Sequence, residues 1–310
     1  MCGIIGYLNK NINGQAPLGE ICYRMLSALA RRGPDSAGLA TFGTSNNSRL
    51  VLCIKLDEKE NLEDQTANVL EKINVLTHVH EQLTTKEYLR LVVESVEDSD
   101  ALIAQVESTA KEVELVSLGT QLEIIKQVGS PDSLERHYGI RSKSGTHAIG
   151  HTRLSTESRV DLSHSQPFWA HGVADLATAH NGHITNYHKL RRQYEQRGIR
   201  FYTENDSEII GIYLRDQMEQ GSSLEEALWA SLEDFDGSFS YLAANNHCLA
   251  YVKDPFALKP LMVGESEEFV ALATEEIALR KISRKSFEVW EAPAQHVQLW
   301  SVPTHTQETF

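Results

Sequence analysis

Cys2 stands directly in front of a short apolar run bounded by glycines, GIIGYL at residues 3–8. A run of this length with β-branched residues is typical of a buried strand. We expect the initiator methionine to be removed, because the side chain at position 2 is small. Cys2 would then begin the mature chain, with a thiol and a free α-amine on one residue at the start of a buried strand.

A terminal cysteine of this kind can supply both a nucleophile and its base. A cysteine thiol has an ordinary pKa of about 8.5, so it needs a base to become a thiolate at neutral pH. An α-amine titrates at about 7.7–8.0 and can accept the thiol proton. Position alone leaves a second interpretation open, in which Cys2 packs as a small apolar residue.

The composition restricts the partners and the compartment. The 310 residues carry a formal net charge of −14, which disfavours a nucleic-acid partner because such binding needs clustered Lys and Arg. The four cysteines are scattered without a C-x-x-C pair, as expected of reduced thiols. No leader pattern and no apolar stretch long enough for a bilayer is visible, so we expect a cytoplasmic protein without a membrane contact.

Strand and helix patterns alternate along the chain. Residues 18–33 have apolar residues at helical spacing and end at a Gly-Pro pair, and residues 37–43 (AGLATFG) predict a second strand. From residue 57 to residue 129 acidic residues surround helical apolar repeats, which indicates an inserted helical or α/β segment. Strand patterns then return, with a hairpin predicted around Asn245 and Asn246. No linker divides the chain, so residues 1–310 are expected to form one domain.

Three later motifs contain groups that can bind an amino acid. GHTR ends a β-prone run in Arg153, whose planar guanidinium can hold a carboxylate through two hydrogen bonds. HNG places the amide of Asn181 beside the backbone N–H of Gly182, which can form an oxyanion hole. ENDSEII places Asp206 before an apolar helix, as an acceptor for an ammonium group. Each motif has an ordinary explanation alone, but with the thiol of Cys2 they suit a substrate such as glutamine.

Five motifs in this order closely resemble the class II glutamine amidotransferases: MCGIIG, RRGPDSAG, GHTR, HNG and ENDSEII. The resemblance covers most of the chain outside the acidic insertion. It implies an N-terminal nucleophile hydrolase fold of class α+β, a four-layer αββα sandwich with two antiparallel sheets packed between helical layers. It also implies hydrolysis of L-glutamine to L-glutamate, in which Cys2 forms a thioester while Asn181 and Gly182 hold the oxyanion.

The resemblance assigns four further residues to the substrate pocket. Arg153 would bind the carboxylate of glutamine, and Asp206 would bind its ammonium group. Thr156 would line the pocket, and Arg32 would support the loop over the nucleophile. No metal is implied: pairs such as His147 with His151 do not have the spacing of metal ligands on a strand.

The residues after Arg153 narrow the resemblance to one branch of the family. Leu154 and Glu157 differ from the tryptophan and histidine usual in aminotransferases that make glucosamine phosphate. The runs STES and VKDPFALKPLMVG are similar to the amidotransferase domains of glutamate synthase and of relatives such as N-methylglutamate synthase.

This branch implies a partner for the chain. The sequence has no motif for a second synthase domain, so ammonia is expected to pass to a synthase subunit in a hetero-oligomer. No cofactor is expected on this chain, whereas FMN and an iron–sulfur cluster are expected on the partner. The alternative is a catalytically silent subunit used for assembly or glutamine sensing, because a retained Met1 would block the amine of Cys2. The role of His183, directly after the HNG motif, is left open.

Overall fold

Strands and helices alternate through the computed structural model, which describes residues 2–11, 16–43, 48–155 and 159–303. In chain order, the first elements are β1 (Gly3–Asn9), α1 (Leu18–Leu29), β2 (Ser36–Phe42), β3 (Arg49–Lys55), α2 (Leu62–Ile73), β4 (Val79–Thr85), β5 (Tyr88–Glu94), α3 (Ser99–Glu107), β6 (Glu114–Gly119), β7 (Leu122–Val128) and α4 (Pro131–Tyr138). They are followed by β8 (His147–Arg153), β9 (Phe168–Trp169), β10 (Ala177–Ile184), α5 (Tyr187–Gln196), α6 (Glu208–Glu219), α7 (Leu224–Asp234), β11 (Gly237–Asn245), β12 (Cys248–Lys253), β13 (Met262–Glu265), β14 (Phe269–Ala273), α8 (Glu276–Leu279), β15 (Glu288–Glu291) and β16 (His296–Ser301).

Two antiparallel sheets form the centre of the molecule. The first has seven strands in the order β15-β13-β14-β1-β8-β2-β7, and the second has five in the order β16-β12-β11-β10-β9. β1 lies in the middle of the first sheet, between β14 and β8. All its residues are buried, as predicted for the apolar run behind Cys2.

Helices cover the outer face of each sheet. α1, α4 and α8 pack on the seven-stranded sheet through side chains that include Met25 and Leu279. α5, α6 and α7 pack on the five-stranded sheet through side chains that include Tyr194 and Leu228. The inner faces of the two sheets meet in a third apolar cluster. The predicted four-layer αββα sandwich of class α+β is therefore confirmed.

Helix α1 shows how the apolar pattern becomes packing. Its buried side chains are spaced three or four residues apart, so they form one face of the helix against the sheet. Cys22 belongs to this face, and complete burial raises the pKa of its thiol to about 12. The chain then passes close to β8 at Gly33, where an added Cβ would lie 2.3 Å from the carbonyl carbon of Thr152.

A third, four-stranded sheet lies beside the central pair, in the order β4-β5-β3-β6. α2 and α3 pack on it, and its apolar side chains join the cluster between the central sheets. Residues 57–129 thus contain both helices and strands. However, β3 precedes residue 57 and still pairs with β5 and β6, whereas β7 pairs with β2 in the seven-stranded sheet. The limits of the insertion, and the single domain over residues 1–310, stay predictions.

The predicted hairpin is formed by β11 and β12, but it turns one residue later than the sequence indicated. Asn245 pairs with Cys248, so the two turn residues are Asn246 and His247. The side-chain oxygen of Asn245 accepts hydrogen bonds from the backbone N–H groups of His247 at 2.9 Å and Cys248 at 3.0 Å, which closes the turn. Within the described ranges, no helix has the length and apolar character needed to cross a bilayer.

Candidate active site

The pairing of β1 with β8 brings Cys2 to the end of β8. Gly3 pairs with Thr152, so Cys2 at the start of β1 lies beside the residues that close the antiparallel β8. The thiol of Cys2 donates a weak hydrogen bond to the carbonyl oxygen of Leu154, with 3.7 Å between sulfur and oxygen. The thiol of Cys2 at one strand start is thereby placed next to the arginine that ends the neighbouring strand.

A cavity of about 480 Å³ opens at this point. Four of the residues predicted from the sequence line it: Cys2, Arg153, Gly182 and Asp206. Leu154 and His183, to which the sequence assigned no site role, also line it, together with residues that the sequence did not single out, namely Ser155, Arg159, Gln166, His180, Tyr187, His188, Glu204, Asn205 and Ser207. The lining is therefore rich in charged and hydrogen-bonding groups, as a site for a small zwitterion requires.

The environment of Cys2 does not by itself activate the thiol. The pKa of the Cys2 thiol is raised, because burial has a larger effect than the hydrogen bond to Leu154 and the charge of Arg153, which lower it. A thiol with a raised pKa needs a nearby base before it can attack a carbonyl.

Asn181, which the sequence predicted as an oxyanion donor, is not itself among the residues that line the cavity. Asn181 lies in β10 between two lining residues, His180 and Gly182, and it is 4 % exposed. Its side-chain nitrogen Nδ2 is buried and has no hydrogen-bond partner within the described residues. A buried amide without a partner costs free energy, which an incoming oxygen of a ligand would recover.

Gly182 occupies a backbone conformation that requires glycine. Its φ angle is +142°, and an added Cβ would lie 2.3 Å from the carbonyl oxygen of Ser238. The strand β10 can therefore carry the Asn-Gly pair against β11 only because position 182 has no side chain.

Arg153 is buried and is fixed by the segment that follows it. Its Nη1 donates a hydrogen bond of 2.8 Å to the carbonyl oxygen of Arg159. Asp35, which the sequence did not predict as a site residue, donates its N–H to the carbonyl of Arg153 at 3.0 Å. The carboxylate of Asp35 also accepts the N–H of Ser155 at 2.7 Å. Asp35 therefore holds residues 153–155, at the end of β8 beside the cavity, through two hydrogen bonds.

Asp206 lies just before α6 and faces the strand that carries the Asn-Gly pair. Its Oδ2 accepts the backbone N–H of Ile184 at 2.9 Å. The ring nitrogen Nδ1 of His183 lies 3.3 Å from the same oxygen, although the His183 side chain is largely exposed. His183 thus contacts the carboxylate proposed to hold an ammonium group.

Arg32 touches the nucleophile's backbone without lining the cavity. Its Nε donates a hydrogen bond of 3.2 Å to the carbonyl oxygen of Cys2, and its Nη1 pairs with the carboxylate of Glu275. The supporting role that the sequence predicted for Arg32 stays a prediction. Thr156, the remaining predicted residue, lies outside the described residues.

A buried network joins β10 to the start of α6. Gln166 accepts the backbone N–H of His180 at 2.6 Å and donates to the hydroxyl of Ser207 at 2.9 Å. Ser207 also lies 2.8 Å from Nδ1 of His180, whose pKa is lowered by burial. The position of His180 beside Asn181 could have drawn attention to it. Nothing in sequence spacing connects Gln166 with Ser207, because only folding brings them together.

The histidines that could suggest a metal site have other partners. His147 and His151 each direct Nε2 at a backbone carbonyl, of Asn245 at 2.7 Å and of His180 at 3.1 Å. In the part of the chain that the structure describes, no group of three His, Cys, Asp or Glu side chains is arranged to hold a metal ion.

Known proteins are similar in sequence to this chain, two of them over nearly its whole length. Residues 151–281 match the family of the glutamine amidotransferase domain. A candidate glutamine amidotransferase of Methanothermobacter thermautotrophicus is 36% identical over 310 residues, 97% of this chain and 100% of that protein. The glutamine amidotransferase-like protein GlxB of Rhizobium meliloti is 32% identical over 301 residues, 97% of this chain and 98% of its own.

Other relatives are matched over a smaller part of their length. An amidophosphoribosyltransferase of Methanocaldococcus jannaschii is 31% identical over 162 residues, 52% of this chain and 34% of that protein. The solved structure of glutamine phosphoribosylpyrophosphate amidotransferase from B. subtilis, complexed with ADP and GMP, superposes on 97% of this chain and 49% of its own with a TM-score of 0.60 and 18% identity. This likeness establishes the fold of an N-terminal nucleophile amidotransferase. By its full-length relatives, the chain belongs to the glutamine amidotransferase family.

Proposed function

We propose that this chain is a class II glutamine amidotransferase that hydrolyses L-glutamine with Cys2 as its nucleophile. One observation carries the proposal: a single cavity is lined by Cys2, Arg153, Gly182 and Asp206, with the unpartnered amide of Asn181 directly beside Gly182. A thiol, an oxyanion site, a cation and a carboxylate are the groups that an amino acid with a side-chain amide requires.

The cavity has the size and the charge for glutamine. Pockets for small ligands typically measure about 300–1,000 Å³, and this one lies within that range at about 480 Å³. Arg153 can hold the α-carboxylate through its guanidinium fork. Asp206 can hold the α-ammonium group, so the side-chain amide points toward Cys2.

The chemistry follows from where the groups lie. With Met1 removed, the α-amine of Cys2 accepts the thiol proton and the sulfur attacks the amide carbon of glutamine. The oxygen of that amide becomes an oxyanion, which Nδ2 of Asn181 and the N–H of Gly182 can stabilise. The protonated amine then delivers its proton to the leaving nitrogen, and ammonia departs. Water hydrolyses the remaining thioester to glutamate and restores the thiol.

The ammonia acceptor is proposed to be a synthase subunit that resembles glutamate synthase or N-methylglutamate synthase and carries FMN and an iron–sulfur cluster. Support comes from the runs STES and VKDPFALKPLMVG. The lengths of the relatives give further support. The alignment with this chain covers 100% and 98% of the relatives from Methanothermobacter and Rhizobium, but 34% of the amidophosphoribosyltransferase. The chain would then be the amidotransferase part of a cytoplasmic hetero-oligomer.

The test of the nucleophile combines mass and turnover. The intact mass of the purified protein should equal the sequence without Met1. Release of glutamate from glutamine should disappear in Cys2→Ala, while Cys53→Ala, which removes a buried thiol of the four-stranded sheet, should retain it. Unchanged turnover in Cys2→Ala would refute the mechanism, and a retained Met1 in an inactive protein would favour the silent subunit.

The test of the partner uses the native complex. Glutamine-dependent formation of the amino-acid product should require this chain, whereas ammonia-dependent formation by the synthase subunit should not. Cys2→Ala should abolish the first reaction and spare the second. Loss of both reactions, with the complex intact, would contradict the proposed division of labour.

A further inference from the structure

Two separate chain segments form two adjoining walls of the candidate pocket. One wall includes Arg159 and Gln166, on the loop between β8 and β9, and the other includes Glu204, Asn205 and Asp206, just before α6. The first wall fixes Arg153 through the carbonyl of residue 159, and the second carries Asp206 itself. The proposed carboxylate site is therefore in contact with the first wall, and the proposed ammonium site lies on the second.

His164 connects these walls through both of its ring nitrogens. Nδ1 lies 2.7 Å from Oδ1 of Asp161 on its own loop, and Nε2 lies 3.1 Å from Oε2 of Glu204 on the other wall. The backbone carbonyl of His164 also accepts the side-chain N–H of Asn205 at 3.3 Å. The His164 side chain is 7% exposed, so the ring is held inside the junction of the walls.

The loop around His164 is closed upon itself. Asp161 accepts the backbone N–H of His164 at 2.8 Å, and the hydroxyl of Ser165 donates to the carbonyl of Asp161 at 2.7 Å. A compact loop transmits a constraint at His164 to its neighbours better than an open one. This matters because residue 159, which holds Arg153, belongs to the same connection.

We propose that His164, with a proton on each ring nitrogen, is a positioning residue that holds the two walls at the spacing glutamine requires. The inference rests on the proposed function. A doubly protonated ring donates to both carboxylates at once, whereas a neutral ring can donate to only one of them. Loss of the second proton would release Glu204 and weaken the junction of the walls, which would then depend on the hydrogen bonds from Gln166 to Ser207 and from Asn205 to the carbonyl of His164.

The charges around His164 favour the protonated ring. The hydrogen bond to Asp161 is the largest cause that raises the pKa of His164; burial opposes it, and Glu204 adds to it. Burial would raise the pKa of Asp161, but its hydrogen bonds from His164 lower that pKa to about 2. The other charged groups that act on this cluster come from neighbouring elements: Arg153 on His164, Lys55 on Asp161, and Arg159 on Glu204.

Glutamine binding by the full-length Cys2→Ala variant, measured by calorimetry between about pH 5.5 and 8.5, tests the inference without turnover. We expect affinity to fall about fivefold as the pH rises through the His164 titration, the size of a partly exposed ion pair. His164→Asn should be the weaker binder at low pH and should lose this dependence, because asparagine can reach Asp161 but not Glu204.

A second variant and a matched control keep the result interpretable. Glu204→Gln removes the exposed partner charge without disturbing the core, so it should flatten the same pH dependence even if His164→Asn folds poorly. His80→Asn removes a His–Glu pair of 2.6 Å in the four-stranded sheet and should leave the dependence unchanged. The comparison is always made between variants at the same pH.

The outcomes separate the two proposals. The positioning role is supported if the affinity for glutamine falls as the pH rises, and if this fall is smaller in both His164→Asn and Glu204→Gln. The same pH dependence in all variants, or none in Cys2→Ala, overturns it while the proposed function stands. No glutamine binding to folded Cys2→Ala at any pH overturns the proposed function and the positioning role together.

Discussion

Gly3 of β1 pairs with Thr152 of β8, and this register places Cys2 next to Arg153. A shift of one residue would turn every side chain of β1 to the other face of the sheet. The register is held by burial, since all residues of both strands are buried between layers. The neighbouring positions of Cys2 and Arg153 are thus set by the core and not by the loops around the cavity.

The amide of Asn181 should matter for rate and little for stability. Asn181→Ala removes one oxyanion donor, and we expect kcat for glutamine hydrolysis to fall by about 10²–10³ with a smaller change in KM. Asn186→Ala, an asparagine at a helix start outside the cavity, provides the comparison and should keep its rate. A kcat for Asn181→Ala equal to that of the unmodified protein would remove it from the oxyanion site.

Any side chain at position 182 should destabilise the folded protein. Gly182→Ala would combine a φ of +142° with a Cβ 2.3 Å from the oxygen of Ser238, so we expect a loss of more than about 3 kcal/mol in the free energy of unfolding. Gly198→Ala has a positive φ of +82° but nothing within 4 Å, and should cost about 1–2 kcal/mol. Urea unfolding of both variants measures the difference, and equal losses would contradict the close approach.

Acid should destabilise the protein through two buried histidines. Burial lowers the pKa of His147 to about 4 and of His151 to about 3, against about 6.5 in the unfolded chain. Between these values the unfolded state binds more protons, so stability falls as pH falls. With both groups contributing, the slope should approach about 2.7 kcal/mol per pH unit near pH 5.

Urea unfolding at several pH values between about 7 and 4 measures that slope directly. His147→Gln should reduce it by about half, since one proton-binding group is then removed. A free energy of unfolding that stays level across this range would show that the two rings are not buried in neutral form.

Lys126 on β7 should lower stability at neutral pH. It is 2% exposed, its ammonium lies 4.8 Å from the ring centre of Phe168, and among the described residues no hydrogen bond or ion pair reaches it. Burial lowers its pKa from 10.5 to about 8. The folded protein therefore disfavours the charged form, and stability should rise as pH rises from about 8 to 10.5.

Lys126→Met tests this at constant pH. The variant keeps the length of the side chain without its charge, and we expect its free energy of unfolding at pH 7 to exceed that of the unmodified protein by about 2–3 kcal/mol. The advantage should vanish only above about pH 10.5, where the lysine is neutral in both states. A destabilised variant at pH 7 would indicate that the ammonium group is paired in solution.

Local patterns were sufficient for most elements of the fold. The apolar run behind Cys2, the amphipathic helix that ends before Gly33 and the alternating strands around the late hairpin each occupy the predicted segments, because period and turn chemistry are properties of neighbouring residues. The hairpin turn lies one residue later than predicted. Asn245 is the last paired residue of its strand, and its side-chain oxygen closes the turn.

Motif order identified four of the residues that line the cavity, but not the groups that hold them. Cys2, Arg153, Gly182 and Asp206 meet as expected. The contacts of Asp35, Gln166 and Ser207 were not predicted, because ordinary side chains become important only through partners that are distant along the chain.

The sequence by itself determined the strand with a cysteine at its head, the order of the motifs and the family, because these depend on residue type and on near neighbours. Only the tertiary structure decided that β3 pairs with β5 and β6 in a sheet outside the central pair, and that His164 joins the two walls of the cavity. Both depend on contacts between distant segments, and such contacts arise from the burial of whole layers, which no single stretch of sequence specifies.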